Sequence, residues 1–122
     1  MIRVIGCHKE NVFVLTMHGH AGYAEKGQDI VCAGASALLH SLIATLRLLE
    51  VPHLHVELQE GCARVSCRIE SVTVHALFYQ ALVGMILLQQ EYPENIRVNT
   101  AGFFEGDLER ETETEEEEKE IA

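Results

Sequence analysis

Cys32 and His20 are the residues of this chain best suited to act on a substrate together. Cys32 stands three positions after Asp29 in the run Gly27-Gln28-Asp29-Ile30-Val31-Cys32. Aspartate is a strong helix N-cap, its carboxylate accepting from amides two and three residues on. A helix that starts at Ile30 therefore holds Cys32 in its first turn, where the dipole and the amides stabilise a thiolate. His20 lies twelve residues earlier, at the close of a strand pattern. A strand, loop and helix start can set its imidazole beside the thiol, to take the proton and later return it to a leaving amine. That pair suits acyl transfer, most simply peptide-bond hydrolysis, with first-turn amides as candidate oxyanion donors. Asp29 could orient the imidazole as well as cap the helix. Ser36, one turn beyond Cys32, shares its face. The competing reading is a cysteine that only fills a core.

Other groups are weaker candidates. Cys7, His8, His18, His20 and Cys32 could be imagined around zinc, but the cysteines are scattered and no Cys-x-x-Cys pair exists. No metal and no cofactor is expected. Cys62 and Cys67 are five apart on one strand pattern, so they point to opposite faces. His53 and His55 read as a solvated strand face. Cys7 reads as a strand filler, and His40 and His75 as packing residues on helices. Tyr23 is either a substrate contact or a local anchor.

The elements that must position the pair follow from periodicity. Residues 2–8 and 11–19 read as strands joined by a tight turn at Lys9-Glu10, and residues 53–59 and 62–70 as a second hairpin around Glu60-Gly61. Residues 20–28 form a loop punctuated by Gly19, Gly22 and Gly27. A helix is predicted from Ile30 to Glu50, ended by Val51-Pro52. Ser71 caps a second helix over 72–91, and residues 96–100 make a last strand. The order β-β-α-β-β-α-β predicts a two-layer α+β domain, a mostly antiparallel sheet with two long helices.

Charge is unevenly spread along the chain. Of the formal net charge of −10, residues 101–122 carry 10 acidic and 2 basic residues, and residues 1–100 carry 9 acidic and 7 basic. The expected organisation is a domain over 1–104 and an acidic, disordered tail over 105–122. A near-neutral body without a basic stripe argues against direct nucleic-acid binding. Few cysteines and an N-terminus that opens on a strand pattern argue for reduced thiols and a cytoplasmic protein. His40, Ser41 and Arg47 interrupt the first helix, so no membrane span is expected.

The run Gly19-His20-Ala21-Gly22-Tyr23-Ala24, followed by Gly27-Gln28-Asp29-Ile30-Val31-Cys32-Ala33 and Ser36, resembles the signature of the Prp family, the bacterial ribosomal-processing cysteine proteases. The likeness extends over about residues 1–100, through both ββα units and the last strand. It implies that Cys32 is the nucleophile and His20 the base, with Asp29 and Ser36 in supporting positions. It also implies that Gly19, Gly22, Tyr23 and Gly27 belong to a flexible loop over the substrate cleft. The implied substrate is the twenty-seventh large-subunit ribosomal protein, whose short N-terminal extension is removed, and the implied assembly is a homodimer. Gly34 departs from the alanine more usual in the family, and the acidic tail lies beyond its usual domain. A non-catalytic ribosome-associated module of the same fold, and a thiol redox or metal-binding protein, are the alternatives.

Overall fold

The computed structural model describes residues 1–69 and 71–102. The expected domain boundary at 104 and the tail 105–122 lie outside the described residues. The elements are β1 (Ile2–Lys9), β2 (Val12–His18), α1 (Ile30–Leu48), β3 (His55–Gln59), β4 (Cys62–Arg68), α2 (Val72–Glu91) and β5 (Ile96–Gly102). Their order is the expected one. The first helix stops two residues early and the second hairpin starts two residues late. Glu50 and His53 both take left-handed backbone, φ 52° and 58°, which neither a helix nor a strand accepts. His53 therefore does not share a strand with His55. In the first hairpin Glu10 and Asn11 are both left-handed, as a tight turn matched to the strand twist requires.

The five strands lie in the order β3-β4-β2-β1-β5. β5 runs parallel to β1, and the other pairings are antiparallel. Pairing of β2 with β4, far apart in sequence, joins the two hairpins into one sheet. Along each strand alternate residues turn to one side. Ile2, Val4, Phe13, Leu15, Val65 and Cys67 are all buried and share one cluster with the inner faces of both helices. Their neighbours of opposite parity, such as Arg3, Ile5, Arg64 and Arg68, are exposed. Both helices therefore cover the same face, and among the described residues no element covers the other, open face. Burying a leucine or phenylalanine such as Leu39, Phe13 or Phe78 stabilises the fold by about 1.5–3 kcal/mol.

Helix composition corrects one expectation. With mean hydropathies of 1.5 and 1.6, α1 and α2 are each long and apolar enough to cross a bilayer by length and composition. The interruptions at His40, Ser41 and Arg47 do not lower α1 below that level. What the apolar side chains do here is pack: Leu39, Leu42, Ile43 and Leu46 of α1, and Phe78, Leu82 and Met85 of α2, are buried in the core. His75 is a packing residue, its ring 4.5 Å from Tyr79 and 5.2 Å from Phe13 between centroids. His40 is not; it is exposed and borders a cleft.

Gly34 faces α2 and not the nucleophile's side chain. A Cβ there would meet both methyls of Leu88 at 3.4 Å, an ordinary contact. Gly84 is tighter, because its Cβ would come within 2.7 Å of Leu38. Gly34→Ala should therefore add a van der Waals contact and remove the helix penalty of glycine. We expect a gain of about 0.5–1 kcal/mol in urea unfolding. A loss of stability would show that the α1–α2 contact has no room at this position.

Candidate active site

The start of α1 is held by Asp29, whose own backbone is extended at φ −83°, ψ 99°. Its Oδ1 accepts from the amides of Val31 and Cys32, both at 3.0 Å. Its Oδ2 accepts from the amides of Tyr23 at 3.1 Å and Ala24 at 3.4 Å. The backbone carbonyl of Asp29 takes the amide of Ala33 at 3.0 Å. Asp29 is thus the expected cap, and it also ties the loop to the helix. Two expectations are corrected. The amides of Val31, Cys32 and Ala33 are already engaged, so they are not open oxyanion donors. The carboxylate's bonds go to backbone amides and none goes to His20, so it does not orient the imidazole. The amide of Cys32, followed by those of Tyr23, Ala24 and Val31, holds the Asp29 carboxyl below its ordinary 3.8, against desolvation pulling it upward.

Cys32 is half-buried, and its Sγ accepts from the amide of Ala21 at 3.2 Å. That donor is fixed in turn. Ala21 is buried, and its carbonyl accepts from Asn95 Nδ2 at 3.0 Å. Asn95 is anchored in the α2–β5 turn, its carbonyl taking the amide of Ile2 at 2.9 Å. Nearby, the ring of Tyr23 meets that of Tyr92 edge-on at 5.4 Å, so Tyr23 is a local anchor of the loop. By contrast Cys67 is buried in the core, and desolvation pushes its thiol up to about 11.

His20 is placed by two glycines. Gly19 turns the chain at φ 91°, and its amide donates to the carbonyl of Gly61 at 2.8 Å. A Cβ on Gly19 would lie 2.5 Å from the carbonyl oxygen of Met1, so the backbones pass too closely for any other residue. Gly61, at φ 71° in the β3–β4 turn, lies under the imidazole. A Cβ there would stand 3.2 Å from Nε2 of His20. The ring therefore rests against the second hairpin.

His20 and Cys32 border two concavities. One, of about 340 Å³, runs between α1 and the second hairpin, past Leu39, His40 and Leu58. The other, of about 560 Å³, runs under the loop, past Gly22, Lys26, Gly27 and Asp29. His20, Cys32, Ser36 and Glu60 line both. A groove thus passes on either side of the pair, the shape an extended peptide needs on both sides of a bond to be cut. Lys26 and Glu60 approach to 3.5 Å across the second concavity, but both are exposed and such a pair adds little stability. Among the described residues no three His, Cys, Asp or Glu side chains converge as a metal site.

Of the residues singled out in the sequence, His20, Cys32, Ser36, Asp29, Gly19, Gly22 and Gly27 line these concavities. Tyr23 stands apart from both, on Tyr92. Sequence reasoning did not find Asn95, Glu60, Gly61 or the exposure of His40. The Glu60-Gly61 turn was visible as a turn. Its approach to His20 depends on the pairing of β2 with β4, which no local pattern encodes.

Comparison with known proteins shows the family of the chain and agrees with its fold. The family model for cysteine protease Prp matches residues 1–97. The ribosomal processing cysteine protease Prp of Staphylococcus aureus is 35% identical over 86 residues, spanning 68% of this chain and 81% of that protein. Its namesake from Bacillus subtilis is 23% identical over 104 residues, spanning 76% and 89%. The crystal structure of the S. aureus protease with a covalently linked product peptide superposes with a TM-score of 0.73 at 31% identity, covering 81% of this chain and 98% of that one. A second, with a substrate peptide, gives 0.69 at 29% identity over the same shares.

The bonds of Asp29 carry a pH dependence. A carboxyl held below its unfolded value of 3.8 contributes stability that is present above that value and lost as pH falls through the lower, folded one. Asp29→Asn keeps one capping oxygen but loses the charge and an acceptor for the loop amides. Urea unfolding of the wild type should weaken from pH 4 downward, and the variant should be weaker at neutral pH with a flatter acid dependence. Parallel profiles would show that the charge on Asp29 is not what ties the loop to the helix.

Proposed function

The chain belongs to the Prp family of cysteine proteases, and from that premise we propose that it removes the short N-terminal extension of the twenty-seventh large-subunit ribosomal protein, with Cys32 as nucleophile and His20 as general base and acid. The observation that carries this reading is the shared lining of both concavities by His20 and Cys32, with an amide already donating to the sulfur. The named relatives, ribosomal processing proteases, support the substrate class.

In this mechanism the thiolate of Cys32 attacks the scissile carbonyl carbon, and the C=O electrons move to oxygen. The tetrahedral intermediate collapses by breaking the C–N bond, and the imidazolium of His20 gives its proton to the departing amine. A thioester to Cys32 remains. His20 then takes a proton from water, whose oxygen displaces sulfur and releases the new carboxylate. The Ala21 amide donates to Cys32 Sγ and so holds the sulfur in place beside the groove. Ser36 lines both sides of the groove and has a supporting role beside the sulfur. Gly19, Gly22, Tyr23 and Gly27 form the loop that closes over bound peptide, a common way to exclude water from the reaction.

The domain that does this spans residues 1–104. A substrate built into ribosomes sets the enzyme in the cytoplasm. The family resemblance also implies a homodimer, and Leu48, Val83 and Leu87 supply outward apolar surface, being 82%, 47% and 56% exposed. Sedimentation equilibrium should give twice the chain mass of 13.6 kDa, and Val83→Glu with Leu87→Glu should halve it. A wild-type mass of one chain at every concentration would remove the dimer.

Mixing the protein with the extended ribosomal protein and mapping the cut by mass spectrometry tests the activity. We expect one cut at the end of the extension, none with Cys32→Ala, and a rate lower by about 10²–10⁴ with His20→Ala. Asn95→Ala should slow both cleavage and alkylation of Cys32 by iodoacetamide by up to about tenfold, as expected for one lost hydrogen bond. Substrate that stays intact with the wild type would favour the binding-module reading. Unchanged turnover in His20→Ala would remove His20 from the mechanism.

A further inference from the structure

The open face of the sheet is strongly basic in an acidic protein. Residues 1–102 contain seven lysines and arginines. Five of them, Arg3, Lys9, Arg64, Arg68 and Arg97, occupy strand positions whose side chains turn away from the helices, and all five are exposed. The described strands carry one carboxylate, Glu57, opposite Arg64. None of the five cations pairs with a described carboxylate. Arg3 and Arg97 are direct partners across the β1–β5 ladder, an arrangement of like charges that costs stability unless something neutralises it. Lys9 and Arg68 both pair with Val12, one from each side. With strands about 4.8 Å apart and about 3.3 Å per residue, the patch measures roughly 20 Å each way.

A concavity of about 680 Å³ opens in this patch, lined by Cys7, Lys9, Val12, Val14 and Arg68, with one carboxylate, Glu10, at the β1–β2 turn beside Asn11. β5 delivers the chain to its rim, since Gly102 pairs with Cys7. Residues 105–122, which follow, hold 10 of the chain's 19 acidic residues and only Arg110 and Lys119 as cations. Eighteen residues can reach roughly 60 Å when extended, several times the width of the patch. A second copy of the chain is a poor occupant, because it would bring like charges together. A nucleic-acid strand would find cations but, among the described residues of this face, only the imidazoles of His18 and His55 to stack against.

We propose that the open sheet face is the docking surface for the chain's own acidic residues 105–122, seated first on the Lys9–Arg68 concavity. Tethering supplies an effective concentration of about a millimolar, so pairs that are individually weak act together. Docking neutralises the Arg3–Arg97 and Lys9–Arg68 clusters and shields the face from other polyanions. It is screened by salt.

The test uses the full-length protein labelled with ¹⁵N. Backbone amide signals of residues 105–122 are followed from about 25 mM to about 500 mM salt, across which the screening length shrinks to a few ångströms. The same series is run on Lys9→Gln with Arg68→Gln, which leaves the cleavage site untouched. We expect the wild-type tail signals to move with salt, and those of the variant to start near the wild type's high-salt positions. Core amide signals should coincide in the two proteins, showing that both are folded. Tail signals that are the same in both proteins at low salt overturn the proposal. A single-stranded RNA oligonucleotide that binds the wild type at low salt through Lys9 and Arg68, with the tail signals unmoved, would also overturn it and make the face an RNA surface.

Discussion

The carboxylate of Asp29 joins two segments that would otherwise be independent. One oxygen holds the amides of Val31 and Cys32, and the other holds those of Tyr23 and Ala24. The first pair starts α1 and so sets the height of Cys32 on the helix. The second pair fixes where the loop from His20 returns. A cap that satisfied only the helix would leave the loop free to swing away from the sulfur. A neutral cap would weaken both sets, because bonds to an ionised acceptor are the stronger kind. The geometry of the groove is therefore set by an interaction that contributes no atom to the bond being cut.

A second line of support reaches the sulfur from the opposite end of the chain. Asn95 holds the carbonyl of Ala21, and the amide of Ala21 meets Cys32 Sγ. Asn95 owes its place to the turn that delivers β5 alongside β1, where its carbonyl takes the amide of Ile2. Gly19 and Gly61 complete the frame. Their backbones touch because β2 pairs with β4, and the imidazole rests on the glycine that the hairpin presents. Loop and helix start, adjacent in sequence, thus converge on His20 and Cys32 with a hairpin turn and a last strand that lie far along the chain.

What the sequence revealed divides along that line. The cap at Asp29, the first-turn position of Cys32, the ββα repeats and the opposite facing of Cys62 and Cys67 were legible, because each depends on residues a few positions apart. Asn95 was not, since an asparagine before a strand carries no mark of a partner 74 residues away. Gly61 was legible as a turn but not as the floor beneath His20. His40 was misread because its apolar neighbours in sequence are not its neighbours in space. The first-turn amides were read as available. The same cap that places Cys32 occupies the amides of Val31 and Cys32, and the Asp29 carbonyl takes that of Ala33, so these three are not free to meet an oxyanion.

The charge distribution shows the same limit in another form. A body balance near zero was read as the absence of a basic surface, yet a balance cannot report segregation. In a strand every second residue faces the same way, so Arg3 and Lys9, or Arg64 and Arg68, are separated in sequence by residues that belong to the core. Strand pairing then gathers them from β1, β4 and β5 onto one face, while most of the described carboxylates lie in loops, turns and helix ends. The helices cannot cover that face, since both are committed to the other. A sheet with one face packed and one face charged must meet that charge with solvent ions or with a partner. In this chain the largest reserve of opposite charge is covalently attached at the sheet's own edge.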